Sequence, residues 1–375
     1  MGCIDRVQFD IEGNKALTIA ITGFITDQPG PYEIQVRRSF PVSESNWYEA
    51  PVAVKQMLLI DNDGNEEVLK EKKVGFYETD ENFRGVNGKS YRLRVEFFDG
   101  KIYESVADTL PTISKLDTIY SRYRTFTNVT GGFEFYFDVF FNTRSSLEKN
   151  FYFFWNFSAT FKINTNPELE LEENPKGSTP CSYIDIDCER CHPCNMLPKC
   201  TGLRNVGNVA EPKFIRVAPC TCCTCWYSIY NDRPILTNYE YLNQGRFEDF
   251  KVGSIRLDDY ILQSKIFIDV DQFTISRPTY LFYKAIKDQK DGATSLFQPP
   301  SGSIPSNFRQ IAGSPEPIIG FFYAASVSRK TIVLTKDNVP PGGYAFVQGP
   351  LRLLKRTCVG IYPNSTTTRP LFWVD

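Results

Sequence analysis

Histidine is almost missing from this 375-residue chain, which contains a single one, His192. That residue lies between Cys191 and Pro193. A Ser-His-Asp or Cys-His catalytic arrangement would have to use a histidine placed among cysteines, and we do not expect one. The sequence also has no glycine-rich phosphate loop and no HExxH zinc motif. These absences favour a protein that is not an enzyme.

Paired carboxylates remain an open alternative, because a glycosidase needs only two acidic side chains at a suitable distance. Asp185 with Asp187, and Asp258 with Asp259, are close neighbours in the sequence. Both pairs are more typical of solvated loops. We therefore predict no catalytic residue and no cofactor.

Long apolar runs are also missing, since no stretch reaches the roughly 18 residues that a membrane-spanning helix needs. The formal net charge of −2 gives no electrostatic reason to expect a nucleic-acid partner. Methionine is scarce at 3 residues, whereas phenylalanine and tyrosine reach 30 and 20. Aromatic residues at that level favour β-sheets over helical bundles.

Cysteine is concentrated in one part of the chain. Nine of the eleven cysteines lie between Cys181 and Cys225, and the outliers are Cys3 and Cys358. With Cys3 set aside the number is even, as complete pairing requires. We predict structural disulfides, formed outside the cytoplasm and with a pairing that the sequence does not reveal. The residues concerned are Cys181, Cys188, Cys191, Cys194, Cys200, Cys220, Cys222, Cys223, Cys225 and Cys358.

A metal site is the alternative for these cysteines. Cys188, Cys191 and Cys194 have the spacing of a ferredoxin signature, but the next cysteine comes after five residues instead of three and no proline follows it. A zinc site that uses these three residues, or the last two with cysteines of 220–225, stays open. The adjacent Cys222 and Cys223 fit no regular metal template, and we expect each to bond a different partner.

The first residues resemble the remnant of a lipoprotein cleavage site. Gly2 precedes Cys3, as a small residue precedes the lipidated cysteine of bacterial lipoproteins. We predict lipidation of Cys3, with residues 1–14 as a tether. Myristoylation fits poorly, because Arg6 stands where serine or threonine is expected. A cytosolic start with an unrelated cysteine is the alternative.

Apolar residues alternate with polar ones in many short segments, which is typical of half-buried strands. The pattern predicts a mainly β protein with an N-terminal β-sandwich over residues 15–110. A larger β-sandwich-type domain over 111–375 would contain the cysteine-rich insertion 180–226. We expect an exposed junction over residues 106–116. Two separate late strands are predicted, Gly320–Val327 and Lys330–Thr335.

One helix is predicted in the second half. Ser276 is suited to its N-cap, Pro278 to its first turn, and the helix should end near Gln289. Tyr280, Leu281 and Ala285 are expected on its buried side.

Several phrases, in this order, resemble a known family. They are TGFITDQPGPY at Thr22–Tyr32, APVAV at Ala50–Val54, GFY at Gly75–Tyr77, GKSYRL at Gly88–Leu93, CW at Cys225–Trp226, SLFQPP at Ser295–Pro300 and IGFFYA at Ile319–Ala324. The family is domain of unknown function 4249, a set of Bacteroidetes outer-membrane lipoproteins. The resemblance covers residues 15 to 355. The cluster 181–200 is richer in cysteine than the family pattern, so nothing about it is carried over.

The resemblance implies a lipoprotein held by Cys3 in the outer membrane, exposed at the cell surface, and partnered with a TonB-dependent, SusC-like transporter. It implies no reaction and no ligand. Its N-terminal domain should be similar to immunoglobulin-like, carboxypeptidase-regulatory-like sandwiches. Asp108-Thr109-Leu110 and Asp117-Thr118-Ile119 also resemble the Asp-Thr-aliphatic sites of Bacteroidetes O-glycosylation.

From these points we expect a non-catalytic outer-membrane lipoprotein that acts as an accessory or binding subunit of a TonB-dependent transporter. One alternative is an accessory lipoprotein of another outer-membrane barrel assembly. The other is a glycan-binding or glycan-active surface protein.

Overall fold

A single long strand, Ile318–Leu334, connects sheets from both halves of the chain. The computed structural model describes residues 18–38, 50–144, 151–166, 199–206, 213–231, 233–241, 246–292, 306–316, 318–346, 358, 362 and 364–374. Strands predominate in these residues, so the predicted mainly β fold class is confirmed.

The secondary-structure elements are numbered in chain order. The first nine strands are β1 (Ile19–Thr26), β2 (Glu33–Arg38), β3 (Gln56–Asp61), β4 (Glu66–Val68), β5 (Lys70–Lys73), β6 (Phe76–Glu78), β7 (Ser90–Glu96), β8 (Ile102–Ser105) and β9 (Asp108–Thr109). The next nine are β10 (Thr118–Thr127), β11 (Phe133–Arg144), β12 (Tyr152–Asn164), β13 (Leu203–Asn205), β14 (Phe214–Arg216), β15 (Thr224–Tyr230), β16 (Ile235–Asn238), β17 (Arg246–Arg256) and β18 (Ile266–Ile275). The helix α1 (Arg277–Gly292), β19 (Phe308–Ala312) and β20 (Ile318–Leu334) complete the set, with short 3-10 turns at Lys199–Thr201, Tyr239–Tyr241 and Lys336–Asn338.

The N-terminal sandwich is built from both ends of the chain. Its first layer is the part β20-β1-β2-β6-β5 of a nine-stranded sheet that continues through β18, β12 and β15, with β16 on β12. Its second layer is a sheet with the order β19-β8-β7-β3-β4, with β9 on β7. Fully buried Ile21, Val36, Leu93 and Phe322 belong to the core between them. β19 and β20 therefore complete a sandwich that the sequence pattern placed within residues 15–110. The division of the chain into two folding units stays a prediction.

β20 belongs to both halves because its two parts have different neighbours. Residues 318–325 pair in parallel with β1, and residues 326–334 pair in antiparallel fashion with β18. The prediction of two separate late strands was wrong. The polar stretch around Arg329 stays in the sheet because its guanidinium binds both carboxylate oxygens of Asp271, opposite it on β18, at 2.6 and 2.8 Å.

The second sandwich encloses an aromatic core. The sheet β10-β11-β17 packs against β12, β15, β18 and the later part of β20. Trp155 on β12 stacks on Phe141 of β11 with 3.6 Å between ring centroids, and its indole N–H donates to Thr237 at 2.9 Å. Gly253 on β17 makes room for the ring of Phe157, since a Cβ there would lie 2.7 Å from it.

The helix α1 begins as predicted, with Ser276 as N-cap, whose Oγ accepts a hydrogen bond from the backbone N–H of Thr279. Tyr280 is buried, but Leu281 is 45% exposed, so its predicted burial was wrong. Phe282 and Tyr283 face the sheet instead, because they stack on aromatic rings there.

The junction over residues 106–116 mixes exposed and buried residues, so the expectation of an exposed linker holds only in part. Gln272 donates a hydrogen bond to the carbonyl of Ser114 at 2.7 Å, and Ser328 Oγ accepts one from the backbone N–H of Leu116. Polar side chains of β18 and β20 thus satisfy the linker backbone, so that Ser114 and Leu116 can be buried.

Candidate functional site

Three disulfides lie together at one end of the strands β12, β15 and β18 of the nine-stranded sheet. They join Cys200 to Cys222, Cys220 to Cys223 and Cys225 to Cys358, with Cα–Cα distances of 5.5, 5.6 and 6.0 Å. Strand pairing places this cluster beside the last residue of β20. Cys225 lies opposite Ile163, near the end of β12. The first residue of β18, Ile266, pairs with this end of β12 on one side and with Leu334, the last residue of β20, on the other. We call this end of the molecule the disulfide pole.

The disulfides tie remote parts of the chain to the core of the second sandwich. Cys225 and Cys358 are fully buried although 133 residues separate them. The adjacent Cys222 and Cys223 have different partners, and the backbone N–H of Cys358 donates to the carbonyl of Cys222. These contacts fix the position of Cys358 against β15.

Five of the predicted cysteine sites lie outside the described residues: Cys3, Cys181, Cys188, Cys191 and Cys194. The zinc alternative at the last three lies there too. In the part of the chain that the structure describes, no group of three metal-ligating side chains comes together. None of the helices in that part is both long and apolar enough to cross a membrane.

Exposed apolar side chains accumulate at the disulfide pole. One group is at the tip of the β10–β11 hairpin, which lies at this end because Phe135, next to the tip, packs on Tyr344 beyond β20. A second group lies on β13–β14 and the segment after each strand, and a third on the chain end that packs on Phe267. The members are Phe126, Val129, Phe133, Val206, Ile215, Val217, Leu371, Phe372 and Val374.

The start of β1 lies at the opposite end. Ile19 pairs with Ile318, the first residue of β20. β20 has 17 residues, which at about 3.3 Å per residue span roughly 55 Å. The first described residues, 18 and 19, are therefore far from the disulfide pole.

The outer face of the β10-β11-β17 sheet carries cations above a buried carboxylate. Arg124 binds Asp138 through two nitrogens, and Lys251 approaches the same carboxylate at 2.9 Å. Burial acts to raise the pKa of Asp138, but hydrogen bonds from Arg124, Ser254 and Lys251 outweigh it and lower the pKa to about 2. The cations are partly exposed while Asp138 is buried. Around Asp138 the exposed charged groups are therefore the two cations.

On the same face, two aromatic rings lie beneath the guanidinium group of Arg122. Tyr120 and Phe140, opposite each other on β10 and β11, stack with 5.6 Å between centroids, and Arg122 lies over both. Arg122 also binds Asp249 on β17 at 2.7 Å. Burial and a hydrogen bond to Asp249 raise the pKa of Tyr120 to about 12. The charged form of Arg122 is thus held flat against the sheet.

A polar groove of about 860 Å³ lies at the end of this face that is remote from the hairpin tip. Thr118 lines it, with Asp117, Asn142, Glu248 and Asp249. Thr118 and Asp117 are both exposed, so the predicted glycosylation motif is accessible there.

The motif at Thr109 is presented differently. Thr109 is exposed, but the carboxylate of Asp108 is buried and accepts hydrogen bonds from the backbone N–H of Ala324 and the hydroxyl of Thr279. Burial raises the pKa of Asp108 despite these bonds. An enzyme that must bind the aspartate of the motif cannot reach it in the folded chain. Modification at either threonine stays a prediction.

The sequence analysis missed the cationic face, although the sequence carries a signal for it. Tyr120, Arg122 and Arg124 follow at intervals of two, which places them on one face of a strand. Their acidic partners, Asp138 on β11 and Asp249 on β17, are brought to them only by the strand pairing, so the sequence pattern did not predict the ion pairs.

Comparison with known proteins gives one match. No curated protein and no solved structure matches this chain. A family model with the description "Domain of unknown function (DUF4249)" matches residues 4–331. On this match the chain belongs to the DUF4249 family, as the sequence resemblance implied.

Proposed function

We propose that this protein is a non-catalytic, lipid-anchored accessory subunit of a TonB-dependent, SusC-like transporter at the outer membrane, where it acts by binding. The observation that carries the proposal is the disulfide pole, which combines exposed apolar side chains with covalent cross-links. Exposed apolar patches are typical of surfaces that contact another protein.

The cross-links support a location outside the cytoplasm. Disulfides persist in the periplasm and at cell surfaces and are rare in reducing compartments. They also give the pole a fixed shape, which lowers the entropy that a surface loses when it binds.

The position of β1 supports a membrane tether at the end of the molecule opposite the disulfide pole. A lipid on Cys3 would hold the molecule near the start of β1, with the disulfide pole roughly 55 Å along β20 from that end. The pole would then be presented to a partner that rises above the membrane.

Purification of the native lipoprotein in mild detergent tests the proposal. We expect a TonB-dependent barrel to co-purify. Replacement of an apolar side chain at the pole, Phe133→Ser, should reduce recovery of the barrel at least about ten-fold, as loss of a buried aromatic anchor does.

Phe98→Ser is the matched control. Phe98 is 73% exposed and Phe133 67%, but Phe98 lies in the β7–β8 turn. That turn lies at the end of the molecule opposite the disulfide pole, because the neighbouring Lys101 binds Glu316, just before the start of β20. The control should retain the barrel. Recovery of the protein alone, or with a different assembly, or turnover of a glycan by the purified protein, would contradict the proposal.

A further inference from the structure

β10 is an edge strand of ten residues, and one side of its backbone is unpaired in the described structure. The phase of its pairing with β11 follows from the hairpin, where the N–H of Asn128 donates to the carbonyl of Gly132. Hydrogen-bonded and non-hydrogen-bonded pairs alternate in an antiparallel ladder. Even-numbered residues of β10 therefore bond to β11, and odd-numbered residues point their backbone groups away from it.

The outward-pointing residues include Ser121, Tyr123, Thr125 and Thr127. Among the residues that the structure describes, no backbone or side-chain group bonds to their N–H or C=O groups. Thr125 and Thr127 are exposed, and Ser121 and Tyr123 are partly exposed. Such an edge is a template for another extended chain.

The side chains beside this edge select the charge of that chain. Arg122 and Arg124 point to the outer face of β10. Their carboxylate partners, Asp249 and Asp138, lie on β17 and β11, away from the open edge. A strand added to β10 would place its outer side chains about 5 Å from the two arginines. Both guanidinium groups keep N–H donors that bond to none of the described residues.

A second copy of the chain fits this edge poorly. Antiparallel pairing of two β10 strands about Tyr123 would put Arg122 of one copy opposite Arg124 of the other. Like charges directly opposite each other destabilise a strand pair. In that register the two arginines oppose self-association, while they remain complementary to an acidic strand.

We infer that β10 is a docking edge for an extended acidic segment of a partner protein, which adds to the β10-β11-β17 sheet as a fourth strand. Its backbone bonds the odd-numbered residues of β10, and its acidic side chains, at every second position, meet Arg122 and Arg124. This goes beyond the proposed function, because it holds for a partner of any origin and does not depend on the transporter.

The test uses a capped decapeptide in which glutamate alternates with threonine, titrated into the purified, disulfide-bonded protein and followed by backbone NMR. In the antiparallel arrangement, threonines lie opposite the odd-numbered residues and glutamates opposite the arginines. We expect saturable shifts along β10. N-methylation of the threonines should abolish binding, and N-methylation of the glutamates, whose N–H groups face solvent, should preserve it.

Charge is tested separately. Arg122→Glu should weaken binding at least about ten-fold, because the interaction of one guanidinium with a carboxylate becomes a repulsion. Arg256→Glu, on the same face but two strands away, is the control and should change the affinity less than about two-fold. The inference is overturned if the glutamate peptide fails to bind, if a lysine peptide binds equally well, if threonine N-methylation has no effect, or if the protein dimerises through β10.

Discussion

Gly320 permits the parallel pairing that connects the two halves of the protein, so its replacement by alanine should be unusually costly. Gly320 has φ +146°, a conformation that residues with side chains rarely adopt, and a Cβ there would lie 1.9 Å from the carbonyl oxygen of Ile21 on β1. The backbone strain costs about 1–3 kcal/mol. Separating β20 from β1 would also weaken about two hydrogen bonds, each worth about 1 kcal/mol. We therefore expect Gly320→Ala to lower the free energy of unfolding by about 3–5 kcal/mol.

Gly64→Ala is the matched control. Gly64 also has a positive φ, +86°, but nothing lies within 4 Å of the position of its Cβ. It should cost only the backbone strain of a left-handed residue, about 1–2 kcal/mol. Urea unfolding of both variants should be followed by far-UV circular dichroism and by tryptophan fluorescence.

Three of the four tryptophans, Trp155, Trp226 and Trp373, lie in or against the second sandwich. With Trp47 replaced by phenylalanine in both variants, the fluorescence reports on that sandwich. Because β20 contributes to both cores, we expect Gly320→Ala to move the two transitions together. Equal losses of stability in the two variants would refute the close approach of β20 to β1. An unchanged tryptophan transition would refute the coupling of the halves.

Three further predictions concern the second half. Asp138→Asn should lower the free energy of unfolding by about 2 kcal/mol at pH 7, because the folded carboxyl has a pKa of about 2 against an ordinary 3.8. This stability is present above about pH 4 and is lost as the pH falls through 2. Urea unfolding should therefore show a large difference in stability between the original protein and the variant at pH 7, and a small one at pH 2. Replacing both Cys225 and Cys358 by serine opens a loop of 133 residues and should cost about 5 kcal/mol in the same assay; no loss would contradict the bond. The intact mass of protein from the native source should exceed that of the polypeptide with its lipid on Cys3, and Thr118→Ala, unlike Thr109→Ala, should remove this excess.

Local patterns predicted many strands correctly because alternation reports which side chains are buried. The clearest example is β11, where Phe135, Phe137 and Phe141 alternate with polar or outward-facing residues and point into the aromatic core. The helix start was equally readable, since Ser276 caps it through its own side chain. The buried side of the helix was predicted only in part, because Phe282 and Tyr283 stack on aromatic rings of strands that are distant in sequence.

Long-range pairing could not be predicted from local patterns. β1 pairs with β20, about 300 residues away, and nothing in either segment specifies the other. The apparent break between the two late strands was a polar stretch that Asp271 neutralises from β18. For the candidate site, the cysteine cluster was evident, but its pairing depends on Cys358, which only the fold brings to β15.

The account as a whole depends on oxidised cysteines that brace one pole of a protein located outside the cytoplasm. Mass spectrometry of a non-reduced digest of the native lipoprotein tests this most directly. We expect peptides joined through the three bridges of the disulfide pole, with no bound zinc. Free thiols at these six positions, together with stoichiometric zinc, would contradict the disulfide pole and the location that we infer from it.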